Sequence, residues 1–159
     1  MNLNNLKKSK IIAVIGQGSM CTPEITKLAE DVGYNIALKG GILICGGLYG
    51  VMEDACKGVK KGNGLTIGVL PTTSKDDANP YVDIPIVTGI SVARNVIIIR
   101  SADAVIAVGG FYGTLSEIAY GLAFNKPIIG LKTWEVDEKI HQVNTAEQAV
   151  ELAFELVEN

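Results

Sequence analysis

Short, continuous apolar runs alternate along this chain with stretches whose apolar residues recur every three or four positions. Ile11-Ile12-Ala13-Val14-Ile15 is the first such run and stops at Gly16. An apolar run without polar alternation predicts a strand buried on both faces. Thr22-Pro23-Glu24 reads as a helix start, with a capping hydroxyl, a proline at the first helical position and an early acid. Ile25, Leu28, Ala29, Val32 and Ile36 follow at helical spacing, and Gly40-Gly41 closes the segment. Ile42-Leu43-Ile44-Cys45 repeats the strand pattern. Gly46-Gly47 then leads into a helix bearing Val51, Met52, Ala55 and Val59, which Gly62 and Gly64 end.

A third strand is predicted from Leu65 to Leu70, ended by Pro71. Thr72 to Tyr81 is the longest polar loop and a candidate lid. Ile84-Pro85-Ile86-Val87 is a short strand whose proline argues for a sheet edge or a strand start. Ser91 to Arg100 predicts a helix, and Ala104 to Val108 a further strand. Thr114 opens the next helical segment, and Pro127 to Leu131 is the last strand the pattern predicts. Trp134 to Asn144 reads as a polar connection. Thr145 and Gln148 form a capping box for a terminal helix with Ala146, Ala149, Val150, Ala153 and Val157 on one face.

This alternation predicts an α/β, Rossmann-like three-layer α/β/α domain with a mostly parallel sheet and right-handed crossovers. One nucleotide-binding domain spans residues 1–159, with residues 1–10 as a polar N-terminal tail. In such folds ligands sit at the carboxyl ends of the strands. Gly16, Gly46-Gly47 and Gly109-Gly110 fall there.

Composition narrows the partners. The net charge is −3 and no long basic cluster follows Lys7, Lys8 and Lys10, so a nucleic-acid polymer is disfavoured. The three cysteines form no C-x-x-C pair and fit a reducing cytosol, and a single histidine makes a zinc site hard to assemble, so no metal is expected. No run approaches a membrane span, and a cytoplasmic protein is expected.

The densest chemistry lies at Ala107-Val108-Gly109-Gly110-Phe111-Tyr112-Gly113-Thr114-Leu115-Ser116-Glu117. A buried strand, a glycine-rich turn and a helix start in succession make an anion site, because free N–H groups and the helix dipole both favour negative charge. The P-loop pattern is absent. The dinucleotide fingerprint fails at Cys21 and at Cys45-Gly46-Gly47, where a glycine and an acid belong. The glycines also suit simple tight turns, and Thr114 with Glu117 also suits a capping box. Arg94, early in its predicted helix, opposes the dipole and calls for an anion such as Glu117 or a ligand phosphate; a surface arginine is the alternative.

These residues resemble the LOG (Lonely Guy) family, often mislabelled as lysine decarboxylases, whose signature is P-G-G-x-G-T-x-x-E with an M-x-x-R-K segment upstream. Here the two read Gly109 to Glu117 and Val92-Ala93-Arg94-Asn95. Gly109 stands at the proline, Phe111 at the second glycine and Asn95 at the lysine. Cys45-Gly46-Gly47-Leu48-Tyr49-Gly50-Val51-Met52-Glu53 and Ala78 to Asp83 resemble the small branch that includes molybdenum-cofactor carrier proteins.

The resemblance implies a nucleoside 5′-monophosphate phosphoribohydrolase that cleaves the N-glycosidic bond, with Arg94 and Glu117 catalytic. Its alternative is a non-catalytic carrier of a phosphorylated cofactor such as molybdopterin. Gly16, Ser19, Gly46, Gly47, Gly50, Val51, Met52, Gly109, Gly110, Gly113 and Thr114 are expected to hold the phosphate or nucleotide. No cofactor is required, although a bound nucleotide or molybdopterin fits the resemblance, which also implies a homodimer or homotetramer. A true lysine decarboxylase is rejected, because no lysine stands out for pyridoxal phosphate.

Overall fold

A computed structural model describes residues 8–158. Seven strands form one sheet in the order β4-β3-β2-β1-β5-β6-β7: β1 (Ile11–Gly16), β2 (Ile42–Cys45), β3 (Leu65–Leu70), β4 (Ile84–Val87), β5 (Ala104–Val108), β6 (Ile128–Leu131) and β7 (Ile140–Gln142). Every pairing is parallel, so the carboxyl ends of all strands share one edge.

Five α-helices cover the two faces: α1 (Pro23–Leu38), α2 (Val51–Lys61), α3 (Asn95–Ser101), α4 (Tyr112–Ala123) and α5 (Ala146–Glu158). Alternate strand residues separate the two cores. Ile12, Val14, Leu43, Ile106 and Ile129 pack beneath α1, α2 and α5. Ala13, Ile15, Ile44, Val105 and Ile128 pack with Ile98, Ile99 and Ile118 of α3 and α4. Each fully buried isoleucine contributes roughly 1.5–3 kcal/mol, and burial on both faces is why these strands carry no polar alternation.

Helix α1 begins as expected, with Thr22 Oγ1 accepting from the Ile25 N–H at 3.3 Å and Pro23 in the first turn. The terminal capping box forms: the Gln148 N–H donates to Thr145 Oγ1 at 3.2 Å, and the Thr145 N–H donates to Gln148 Oε1 at 3.3 Å.

Three expectations change. The polar connection after β6 contains β7, which pairs Ile140 with Ile128. The segment predicted as one helix from Ser91 divides into a 3₁₀ turn, Ser91–Arg94, followed by α3. The helix expected to open at Thr114 opens at Tyr112. The expected polar tail falls largely on residues 1–7, outside the described residues, and Lys10 is already tied into the fold by its carbonyl, which accepts from the Ile42 N–H at 2.9 Å.

Candidate functional site

Strands β2, β1 and β5 are neighbours, so the loops leaving their carboxyl ends meet. Gln17, directly after β1, joins them. Its backbone carbonyl accepts from the Val51 N–H at 3.0 Å, and its side-chain oxygen accepts from the Gly110 N–H at 2.9 Å. Its side-chain amide donates to the carbonyl of Met20 at 3.1 Å. One glutamine thus fixes the loop after β1 against the start of α2 and the loop after β5.

That last loop needs its glycines. Gly109 and Gly110 have φ of 57° and 119°, and a Cβ at position 110 would lie 2.5 Å from the Thr114 side chain. The chain then enters α4 with Phe111 as N-cap and no side-chain cap bond. The capping-box reading of Thr114 and Glu117 is therefore not realised. Both lie inside the helix and are buried, at 2% and 7% exposure. The N–H groups of Tyr112, Gly113 and Thr114 precede the first intrahelical acceptor, while the Leu115 N–H reaches the Phe111 carbonyl at 3.0 Å. A Cβ at Gly113 would meet nothing within 4 Å, so this turn faces open space.

Arg94 is not a surface arginine. It closes the 3₁₀ turn and is 8% exposed. Its Nε donates to the Val69 carbonyl at 2.8 Å, its Nη2 to the Gly46 carbonyl at 3.4 Å, and its Nη1 to Asn95 Oδ1. The chain continues from Asn95 Nδ2 to Ser116 Oγ at 3.3 Å, and from the Ser116 hydroxyl to the Gly113 carbonyl at 2.6 Å. A hydrogen-bonded relay therefore connects the loop after β2 to the first turn of α4. Carbonyls at the strand ends offset the arginine charge, rather than a direct ion pair.

Glu117 is the electrostatic anomaly. Among the described residues its carboxylate enters no salt bridge, and only the charge of Arg94 acts on it. Burial pushes its carboxyl up to about 8, and the nearby Arg94 charge only partly opposes this. Desolvation thus outweighs the attraction of the Arg94 charge. Burial in turn lowers the pKa of Arg94, with Glu117 opposing.

The remaining expected residues divide by what their groups already do. Gly16 is a packing glycine, since a Cβ there would lie 2.4 Å from the Val108 carbonyl oxygen. Val51 is fully buried and its N–H is given to Gln17. Gly47 donates to Cys45 Sγ at 3.3 Å, and Gly109 to the Leu131 carbonyl at 2.9 Å. Gly50, with φ of 67°, is the N-cap of α2, and Met52 lies against Gly46. Ser19 is exposed on the loop after β1.

Four residues of this network were not among the expected site residues. They are Gln17, Asn95, Ser116 and Asn79. Asn79, 2% exposed, donates from its backbone to the Gly47 carbonyl at 2.8 Å and from Nδ2 to the Leu48 carbonyl at 2.7 Å. The candidate lid is thus pinned at its far end. Among the described residues no three metal-ligating side chains cluster, and no helix is long and apolar enough to cross a membrane.

The model of the SLOG cluster4 family matches residues 9–158. An uncharacterized protein of Archaeoglobus fulgidus is 48% identical over 139 residues, covering 87% of this chain and 91% of that one. A cytokinin riboside 5′-monophosphate phosphoribohydrolase of Mycobacterium tuberculosis is 30% identical over 132 residues, covering 77% of this chain and 71% of that one. Among solved structures, the molybdenum cofactor binding protein of Rippkaea orientalis superposes with a TM-score of 0.89 at 39% identity, covering 94% of this chain and 98% of that one.

Proposed function

The chain belongs to the SLOG cluster4 family, and from that premise we propose that it binds a small phosphorylated, nucleotide-like ligand and holds it intact, as a carrier does. The phosphate lies at the first turn of α4, where the N–H groups of Gly113 and Thr114 precede the intrahelical ladder and the space beside Gly113 is open. The relay from Arg94 through Asn95 and Ser116 orients that turn.

One observation carries the choice of binding over cleavage. Glu117 is 7% exposed with no ion-pair partner among the described residues, and burial raises its pKa to about 8, which favours the protonated form. A neutral acid tolerates an adjacent phosphate. It supplies no negative charge to an oxocarbenium-like transition state. A molybdopterin-type cofactor, held as cargo, would be gripped at this turn through its phosphate. The likeness to the cofactor-binding protein of Rippkaea orientalis supports this class of cargo.

A second reading has its own support. A protonated Glu117 is also a general acid, suited to protonating a departing base, and Arg94 and Glu117 share one site as the LOG resemblance implies. Incubation of purified protein with AMP separates the two. Retention of intact AMP supports the binder, whereas adenine release that vanishes in Glu117→Gln supports the phosphoribohydrolase.

The proposal includes self-association in the cytoplasm. Ile90, Val92 and Ile97 leave apolar side chains exposed around α3, and light scattering at two protein concentrations measures the assembly.

A further inference from the structure

Three aromatic side chains gather beside the first turn of α4, in a chain with only 6% aromatic residues. Phe111 is its N-cap and Tyr112 its first residue, and they are 47% and 81% exposed. Trp134, in the loop after β6, stacks on Tyr112 with ring centroids 6.1 Å apart and an interplanar angle of 28°.

The arrangement is tied down. The Trp134 indole N–H donates to the Phe111 carbonyl at 3.2 Å, and the Thr133 hydroxyl donates to the Gly109 carbonyl at 2.5 Å. The loops after β5 and β6 are thereby joined, and the indole N–H is already satisfied. With one ring face on Trp134, Tyr112 turns its other face to solvent. Ring faces held in place at the surface of this fold offer apolar area that a ligand can cover.

We propose that Phe111, Tyr112 and Trp134 form a stacking platform for the planar heterocycle of the bound ligand. The inference rests on the reading of the α4 turn as a phosphate site. It adds which side chains receive the ring system of that nucleotide-like ligand, and predicts that a bare sugar phosphate binds without them. Geometry and the nature of ring stacking both support that assignment. Phe111 and Tyr112 immediately precede Gly113, whose missing side chain would meet nothing within 4 Å. Aromatic faces bind any flat heterocycle without reading its hydrogen-bonding edge, so this platform selects a ring class and not one base.

The test compares a carbocyclic analogue of AMP, whose bond to the base resists hydrolysis, with ribose 5-phosphate. Titration calorimetry reads affinity, and the emission of Trp134, the one tryptophan of the chain, reads stacking. The nucleotide analogue is expected to bind at least about tenfold more tightly than the sugar phosphate and to quench Trp134. Tyr112→Ala and Phe111→Ala should each erase most of that margin and leave ribose 5-phosphate binding unchanged. Equal affinities without quenching would overturn the platform and leave the phosphate site standing. Binding of neither probe would remove the phosphate reading and the platform with it. A Trp134 emission that responds to protein dilution instead of ligand would assign the rings to a second copy of the chain and refute the proposal.

Discussion

The Arg94 guanidinium occupies the space that a side chain at position 46 would fill: a Cβ on Gly46 would lie 2.5 Å from Arg94 Nη2. Glycine in the loop after β2 therefore serves to admit a buried arginine, and only through it any ligand. Gly46→Ala should displace the guanidinium from the Val69 and Gly46 carbonyls. Overpacking of this kind costs about 1–3 kcal/mol. Urea unfolding is expected to show that loss together with weakened AMP binding.

Gly113 behaves oppositely. Its missing side chain points into open space, so Gly113→Ala should raise helix stability by roughly 0.5–1 kcal/mol. Gly113→Leu should fold normally as well. Both should lower AMP affinity, the leucine more severely, because the added atoms fill the ligand's volume. Thermal melts beside calorimetric titrations check the divergence of stability from binding.

Glu117 gives the protein a pH signature. Its folded pKa is raised from 4.5 to about 8, so between those values the folded state binds more protons than the unfolded one. Stability is therefore expected to fall as pH rises through this window and to level off above it, by an amount of up to roughly 4–5 kcal/mol. AMP affinity should decline above about pH 8 as the carboxylate forms beside the phosphate. Glu117→Gln should flatten both profiles, which denaturation and titration across pH 5 to about 9.5 will read.

Gln17→Ala removes the acceptor of the Gly110 N–H. A buried donor left unpaired costs about 1–3 kcal/mol. Amide hydrogen exchange should report faster opening of the loop after β5, with protection of the β1 and β5 ladders retained.

Much of this architecture was legible because burial on both faces writes strands as unbroken apolar runs, as at Ile11 to Ile15 and Ala104 to Val108. Strand β7 was not, since Ile140 is buried while His141 and Gln142 are exposed. Three residues carry no period, and pairing with β6 alone defines them. The 3₁₀ turn Ser91–Arg94 that precedes α3, entered at Ser91 with a φ of 54°, was announced by no residue pattern. At the site, the glycine turns and the pair Arg94 and Glu117 could be named from their order in the chain. The raised pKa of Glu117 could not, because it arises from burial as α4 packs against the sheet. Nor could the roles of Gln17 and Asn95, whose partners lie up to 93 residues away in the sequence.

The most direct test is the affinity of the wild-type protein for AMP against adenosine, measured by calorimetry at pH 6.5, about 1.5 units below the midpoint of Glu117. A phosphate held at the first turn of α4 predicts AMP tighter by at least about tenfold. Adenosine binding as tightly as AMP, or neither binding at all, would contradict it.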